Sequence, residues 1–254
     1  MYKDIKVIAF DADDTLWINE TNFRDAEHEF AKLLLNYETE NKIDQELFKK
    51  EIENLKFYGY GIKGFVLSMI ECALELSNNQ ISPTTIGKIV NIGKAMLEKP
   101  IELIAGIEDV LQTLQNDYKL IVATKGDLLD QEKKLEKSGL LKYFHHIEVM
   151  SDKKPKDYLK LIKHLEIEPK ELLMIGNSLK SDVLPLLEVG AAANNSQDST
   201  QFRCAGTGHY DGTAGGIKSA ATNTAATSGD HEASCFGTSG TIIIEFKKDE
   251  NYTS

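Results

Sequence analysis

The chain has few cysteines, fewer basic than acidic residues, and no long apolar run. Its 254 residues include three cysteines, Cys72, Cys204 and Cys235. Their spacing matches no metal or redox motif, which excludes the common cysteine-based zinc and disulfide-exchange sites. A sparse, odd set of cysteines is typical of a reducing compartment, and we therefore expect a cytoplasmic protein.

The charge balance and the hydropathy limit the partners. Lysine and arginine total 29 against 40 aspartate and glutamate residues, which gives a formal net charge of −11. This balance argues against nucleic acid, because binding a polyanion needs clustered basic side chains, although it permits a local basic site for one small anion. No apolar run is long enough to span a bilayer, and residues 1–6 lack the apolar core of a signal peptide. We therefore expect no membrane partner.

The most informative stretch is an acidic turn that follows a short apolar run. Residues 5–10 are apolar except for Lys6 and predict a buried strand. Asp11, Asp13 and Asp14 follow it directly. Three carboxylates this close repel one another and lose hydration when partly buried. Because a divalent cation would relieve both costs, the turn predicts a metal-assisted carboxylate site at the carboxyl end of a strand.

The region from residue 22 to residue 99 has helical periodicity. Apolar residues recur there at three- and four-residue spacing, and Ser82-Pro83 has the N-cap and first-turn residues that begin a helix. We expect about four helices with no strand among them. The sequence therefore predicts a helical domain, residues 17–100, inserted into a core domain of residues 1–16 and 101–254.

The rest of the chain alternates between strand and helix patterns. Strands are predicted at residues 119–124, 147–150 and 172–175, and a helix follows each of them. This alternation predicts an α/β fold: a Rossmann-like, doubly wound parallel sheet covered on both faces by helices. Ligands in such folds bind beyond the carboxyl ends of the strands.

Residues 191–240 differ from the rest of the chain. They are mostly Ala, Gly, Ser and Thr and contain no Leu, Val or Met. A disordered tail, a genuine small-residue insert and a stretch of unreliable residue identities are three open interpretations, and the last is favoured because the preceding pattern calls for another core strand. Residues 241–246 predict a final strand. We place no functional residue in residues 191–240.

Polar residues follow the first, second and fourth predicted strands, and a lysine cluster lies in a loop before a helix. In chain order these residues are Asp11, Asp13 and Thr15; Thr124 and Lys125; Lys153, Lys154 and Lys156; and Asn177, Ser178 and Asp182. Over residues 5–190, the order and context of these four motifs resemble the haloacid dehalogenase (HAD) superfamily, whose members are mostly phosphatases. The helical insertion after the first motif resembles the C1-type cap of that superfamily.

The resemblance implies a division of roles. Asp11 is the expected nucleophile, giving an aspartyl-phosphate, and Asp13 is the expected acid–base for the leaving oxygen and the attacking water. Thr124, Lys125 and a lysine of the third motif are expected to bind the phosphoryl oxygens. Asp11 and Asp182, together with the backbone carbonyl of Asp13, are the expected ligands of Mg²⁺.

The third motif leaves a choice between two lysines. Lys154-Pro155 matches the family pattern literally. Counting back from Tyr158, where the family has an aromatic residue on its helix, favours Lys153 instead. We therefore predict Lys153 as the catalytic and phosphate-binding lysine.

The fourth motif departs from the family, which often has Asp where this chain has Asn177. An amide can orient a lysine or a metal-bound water, but it adds no charge, so metal affinity is expected to be lower. Asn177, Ser178 and Thr15 are predicted to support the site without touching the phosphate directly.

Together these residues predict a Mg²⁺-dependent phosphatase for a small phosphorylated metabolite, acting as a monomer or weak homodimer. Asp13 disfavours a dehalogenase, which needs no acid two residues after its nucleophile, whereas a mutase shares the pair and stays open. A degenerate, non-catalytic phosphate-binding protein is the alternative from another class, supported only by Asn177. The carboxylates of Asp11, Asp13 and Asp182 are expected to converge on one point.

Overall fold

A parallel sheet of five strands organises residues 4–195, the part of the chain that the structure, a computed structural model, describes. The strands are β1 (Val7–Phe10), β2 (Lys119–Lys125), β3 (His146–Met150), β4 (Leu172–Gly176) and β5 (Ala192–Asn195). They lie in the order β3-β2-β1-β4-β5, and every neighbouring pair is parallel. The strand order therefore changes direction at β1 and β4, whose carboxyl ends form the crevice where such sheets bind ligands.

The α/β fold predicted from the alternating pattern is confirmed. The central strands β1 and β4 are buried along their whole length, because apolar clusters cover both faces of the sheet. The helices of this part are α5 (Ile107–Leu114), α6 (Leu128–Ser138), α7 (Pro155–His164) and α8 (Leu184–Glu188). These helices are numbered after the four of the insertion.

The helical insertion, residues 20–98, contains four α-helices. They are α1 (Glu20–Leu34), α2 (Glu40–Tyr58), α3 (Ile62–Leu76) and α4 (Pro83–Glu98). Helix α4 begins as the sequence predicts, since the Ser82 hydroxyl accepts the Thr85 N–H at 3.1 Å and Pro83 occupies the first turn. The helices share an apolar cluster of their own, separate from the two clusters against the sheet. The exact domain limits at residues 16 and 100 stay a prediction.

Two glycines of helix α4 lie in contrasting surroundings, which gives a test of the packing. A methyl group at Gly93 would overlap a Val66 methyl on α3, whereas a methyl group at Gly87 would meet nothing. We expect Gly93→Ala to lower the free energy of unfolding by about 1–3 kcal/mol through overpacking. Gly87→Ala is expected to raise it by roughly 0.5–1 kcal/mol, because alanine restricts the unfolded chain more than glycine does. Urea unfolding of both variants measures the difference. An equal rise in the free energy of unfolding of both variants would contradict the described packing.

Two parts of the core differ from the sequence prediction. The helix predicted from Ser181 to Val189 is divided into a π-helical turn, Leu179–Val183, and helix α8, with Pro185 in the first turn of α8 as expected. Strand β5 falls at the start of the small-residue segment, where the sequence shows no strand pattern. Backbone pairing with β4 creates it, and such pairing does not depend on large side chains.

The small-residue segment after residue 195 and the strand predicted at residues 241–246 lie outside the described residues. Within residues 4–195, no helix combines the length and the apolar character needed to cross a bilayer.

Candidate active site

A buried lysine joins two carboxylates at the carboxyl edge of the sheet. Asp11 directly follows β1, and Asp182 lies in the π-helical turn after β4. The Lys153 Nζ atom donates to Asp11 Oδ1 at 2.5 Å and to Asp182 Oδ1 at 2.6 Å. The exposed fractions are only 8% for Asp11, 2% for Lys153 and 1% for Asp182. Because buried charges are costly when unpaired, each of these groups depends on the others.

The loop between β3 and α7 brings Lys153, and not Lys154, to the two acids. The Lys153 N–H donates to Asp152 Oδ1 at 2.8 Å. Behind it, the buried Tyr158 donates its hydroxyl to the carbonyl of Ser181 at 2.8 Å, which ties α7 to the fourth motif. Lys154 is exposed and pairs with Asp152 Oδ2 instead.

The fourth motif folds tightly around the carboxylate of Asp182. The Ser178 N–H donates to Asp182 Oδ2 at 2.9 Å, and the Ser178 hydroxyl accepts the N–H of Ser181 at 3.2 Å. A Cβ atom on Gly176 would overlap this carboxylate, so only glycine permits the approach. Asn177 is half-buried between Gly176 and Ser178.

Burial and the neighbouring charges shift the pKa values of Asp11 and Lys153. Burial raises the pKa of Asp11 to about 7; Lys153 opposes this rise and Asp182 adds to it. Burial opposes the charge of Lys153 too, but the carboxylates of Asp11 and Asp182 raise the pKa of Lys153 above its usual value. The Thr15 hydroxyl donates to Asp11 Oδ2 at 3.4 Å. A further cation beside Asp11 would favour its ionised form.

Asp13 is held by a separate set of donors. Its Oδ1 accepts from Trp17 Nε1 at 2.8 Å and from Lys134 Nζ at 3.0 Å, and its Oδ2 accepts from Gln131 Nε2 at 2.8 Å. Burial opposes ionisation here, but Lys134, Trp17 and Gln131 together lower the pKa of Asp13. Asp13 still lies near enough to Asp11 to raise the pKa of that residue.

The structure thus joins two of the three carboxylates that were expected to converge and holds the third through other donors. These donors were not identified by the sequence analysis. A weak signal exists for two of them, because Gln131 and Lys134 are three residues apart on α6 and therefore share one face of that helix.

Asp14 serves a local purpose. Its Oδ1 accepts the backbone N–H groups of Asn19 and Glu20 at 2.9 and 3.0 Å, where α1 begins. The carboxylate therefore caps the first helix of the insertion.

The second motif contributes a hydroxyl and a cation. Thr124 is buried at the end of β2, and its hydroxyl donates to the Lys125 carbonyl at 3.2 Å. The Lys125 Nζ atom donates to Ser181 Oγ at 3.1 Å. Burial and the nearby Lys153 lower the pKa of Lys125. Lys125 and Lys153 therefore share this part of the site.

The helical insertion reaches the site through the loop between α2 and α3. The ring centroid of Tyr60 lies 4.1 Å from Lys125 Nζ, a cation–π contact. One turn later, Lys63 pairs with Asp127 at 2.9 Å. Gly61 lies against the backbone of Asp127 with a φ of +113°, which requires glycine. This loop therefore lies against the second motif and the residues that follow it.

A model of haloacid dehalogenase-like hydrolases matches residues 5–190 of the chain. The chain belongs to this family. A solved HAD-like hydrolase of Xanthomonas campestris agrees: it is 42% identical, with a TM-score of 0.73, over 76% of this chain and 82% of that one. This chain is therefore a HAD-like hydrolase.

Two further proteins are more distantly similar to this chain. Glyceraldehyde 3-phosphate phosphatase of Methanopyrus kandleri is 22% identical over 70% of this chain and 78% of its own length. The HAD-hydrolase YfnB of Bacillus subtilis, solved with bound magnesium, is 23% identical, with a TM-score of 0.51, over 75% of this chain and 86% of that one.

The donor atoms of this HAD-like hydrolase fit Mg²⁺. Asp11 and Asp182 supply carboxylate oxygens that already face one shared cation, the Lys153 ammonium. Within residues 4–195, no three His, Cys, Asp or Glu side chains group as a metal site. Mg²⁺ is usually held by one or two carboxylates, with waters and substrate phosphate as its other ligands. The backbone carbonyl of Asp13 is the further ligand that the family resemblance implies.

Proposed function

We propose that this HAD-like hydrolase is a Mg²⁺-dependent phosphatase that hydrolyses a small phosphomonoester through an aspartyl-phosphate at Asp11. The observation that carries the proposal is the buried Lys153 ammonium between the carboxylates of Asp11 and Asp182. It supports the proposal because a candidate nucleophile and a fixed positive charge then lie together at the carboxyl edge of the sheet. A phosphoryl group needs both, because charge spreads over its equatorial oxygens during transfer.

The proposed reaction has two steps. In the first, an Asp11 oxygen bonds to phosphorus and the bond from phosphorus to the leaving oxygen breaks. Asp13 gives that oxygen a proton, which it holds once the anionic phosphate of the bound substrate has raised its pKa. In the second, water bonds to phosphorus, the bond to Asp11 breaks, and Asp13 takes a proton from the water. Inorganic phosphate leaves and Asp11 is restored.

The remaining polar groups neutralise and orient the phosphate. Lys125 and Lys153 supply positive charge to its oxygens, and Thr124 adds a hydroxyl. When bound, Mg²⁺ polarises a phosphoryl oxygen and offsets developing charge. Asp11, Asp182 and the carbonyl of Asp13 would hold it. Thr15 and Ser178 hold the carboxylates of Asp11 and Asp182 by hydrogen bonds, and Asn177 precedes Ser178 in the fourth motif.

Two relatives support this assignment. The Methanopyrus kandleri protein is named as a phosphatase, and the Bacillus subtilis structure contains magnesium. Tyr60 in the loop between α2 and α3, and Lys63 at the start of α3, reach the second motif. This cover favours a small phosphorylated metabolite over a large substrate. We further propose a cytoplasmic monomer or weak homodimer that takes no nucleic acid or membrane as a partner.

Removing the metal tests the proposal. We expect the chain to release inorganic phosphate from members of a panel of small phosphomonoesters in the presence of Mg²⁺. A chelator should lower kcat by at least about a hundredfold, because the metal contributes several kcal/mol of charge stabilisation. Excess Mg²⁺ should restore the rate. Phosphate release that is indifferent to the chelator would contradict the metal assignment.

The same assay distinguishes the other function classes. A folded, Mg²⁺-loaded chain that releases no phosphate from the whole panel is not a phosphatase. Halide release from 2-haloacids without phosphate release would indicate a dehalogenase instead. Phosphate-ester binding without turnover would indicate a non-catalytic binding protein.

A further inference from the structure

One lysine outside the four motifs contacts Asp13, the proposed acid–base. Lys134 lies on α6, the helix that follows the second motif, and its side chain is only 11% exposed. Its Nζ atom donates to Asp13 Oδ1 at 3.0 Å and to Asn19 Oδ1 at 3.1 Å. It also pairs with Asp130, one turn earlier on the same helix, at 3.5 Å. The two shorter contacts both leave the helix, so Lys134 does more than form a surface pair along α6.

The contact with Asn19 links Lys134 to the helical insertion. Asn19 is the residue directly before α1 and belongs to the segment by which the chain leaves the core. In that segment the Ile18 N–H donates to the carbonyl of Glu102 on the returning segment, at 2.8 Å. One ammonium group therefore touches both Asp13 and the connection between the core and the insertion.

Gln131 fixes the other oxygen of Asp13. Its Nε2 donates to Asp13 Oδ2 at 2.8 Å and to the Lys125 carbonyl at 3.1 Å. Since both partners are acceptors, the amide nitrogen must face them, which settles the orientation of the amide. A Cβ atom on Gly126 would lie 3.0 Å from this nitrogen, so the glycine leaves room for it. Asp13 is thus tied to the second motif as well as to α6.

We propose that Lys134 is a positioning residue for Asp13: it sets the orientation of the acid–base and joins that orientation to the connection between core and insertion. This inference rests on the proposed phosphatase function. Lys134 itself transfers no proton and touches no substrate. Its effect is exerted through Asp13, and that dependence distinguishes it from a residue that only stabilises the fold.

The leaving group of the substrate reveals this dependence. The leaving oxygen of an alkyl phosphate needs a proton. The leaving group of p-nitrophenyl phosphate, p-nitrophenolate, is stable without one. We expect Lys134→Met to lower kcat/KM on an alkyl phosphate by about ten- to a hundredfold. This ratio reports the first step, in which Asp13 acts as an acid, and excludes the later water attack that both substrates share. The loss on p-nitrophenyl phosphate is expected to stay within about threefold, since correct positioning of an acid contributes little when none is needed. KM should change little, because Lys125 and Lys153 are untouched.

Two comparisons decide between positioning and a structural role. Lys133→Met changes the exposed neighbour on the same helix and is expected to leave both rates unchanged. In an Asp13→Asn background, Lys134→Met should cause no further loss on either substrate, because the residue it positions is already inactive. Equal losses on both substrates, or an additive loss in the Asp13→Asn background, would overturn the proposal.

Separate controls test the folding of the variant and the activity of the wild-type chain. If Lys134→Met does not fold by circular dichroism, Lys134→Gln replaces it, since it keeps an N–H donor on a slightly shorter side chain and should recover part of the alkyl phosphate rate. A wild-type chain that releases phosphate from neither substrate would overturn the phosphatase function and the positioning role with it. A wild-type chain active on both, with the leaving-group difference absent in the variant, overturns the positioning role alone.

Discussion

Replacing Asp11 by asparagine is expected to abolish turnover and leave the fold intact. The substitution removes the only oxygen that we assign to attack phosphorus, and an amide is a poor nucleophile. Loss of a nucleophile in comparable enzymes lowers kcat by several orders of magnitude, so we expect at least about a thousandfold here. The fold should persist because asparagine has nearly the same shape as aspartate and still offers an oxygen to Lys153. Lys153 also keeps its ion pair with Asp182.

Steady-state phosphate release and thermal unfolding of Asp11→Asn measure both parts of this expectation. Asp44→Asn is the matched control, because Asp44 is exposed on α2 in the helical insertion. It undergoes the same chemical change away from the site and should retain full activity. An Asp11→Asn protein that keeps more than about a tenth of the wild-type kcat would exclude Asp11 as the nucleophile.

Replacing Lys153 by methionine is expected to damage both activity and stability. The change leaves two buried carboxylates, Asp11 and Asp182, facing each other without the ammonium that separates them. Breaking a buried ionic group in this way typically lowers the free energy of unfolding by about 3–5 kcal/mol. Losing a fixed charge next to the phosphoryl oxygens should also lower kcat by at least about a hundredfold.

Lys154→Met is the control for that substitution. Lys154 is adjacent in sequence, but it is exposed and pairs only at the surface, with Asp152. Exposed ion pairs contribute little to the free energy of unfolding. We therefore expect Lys154→Met to change it by no more than about 0.5 kcal/mol and to leave kcat unchanged. Urea unfolding and phosphate release on the two variants separate the lysines. Greater losses in Lys154→Met than in Lys153→Met would show that the third-motif lysine is misassigned.

The sequence predicts the frame of the site well because that frame depends on local patterns. Buried apolar runs mark β1, β2 and β4, and a parallel sheet brings the residues after such strands to one edge. Asp11 and Asp182 therefore meet although 171 positions separate their numbers in the chain. The preference for Lys153 over Lys154 depended on Tyr158, and the structure gives that spacing a reason: the Tyr158 hydroxyl anchors α7 to Ser181.

Other features depend on packing that no local pattern encodes. Gln131 and Lys134 reach Asp13 because α6 lies against the turn after β1. Their spacing on α6 shows that they share a face of the helix, but not which residue that face contacts. Trp17 lies in the turn itself, four residues after Asp13. The π-helical turn at Leu179–Val183 depends on the backbone around the buried Asp182 and leaves no apolar signature. Strand β5 is defined by pairing with β4 and carries small side chains that show no strand periodicity.

The most direct test of the central claim is a search for phosphate on Asp11 during turnover. The chain is mixed with Mg²⁺ and a phosphomonoester, quenched in acid within the first turnover, digested, and examined by mass spectrometry. We predict that the peptide containing Asp11 gains the mass of one phosphoryl group and that Asp11→Asn shows no such gain. Rapid phosphate release with no phosphoryl group on that peptide, or with one on another residue, would contradict the account.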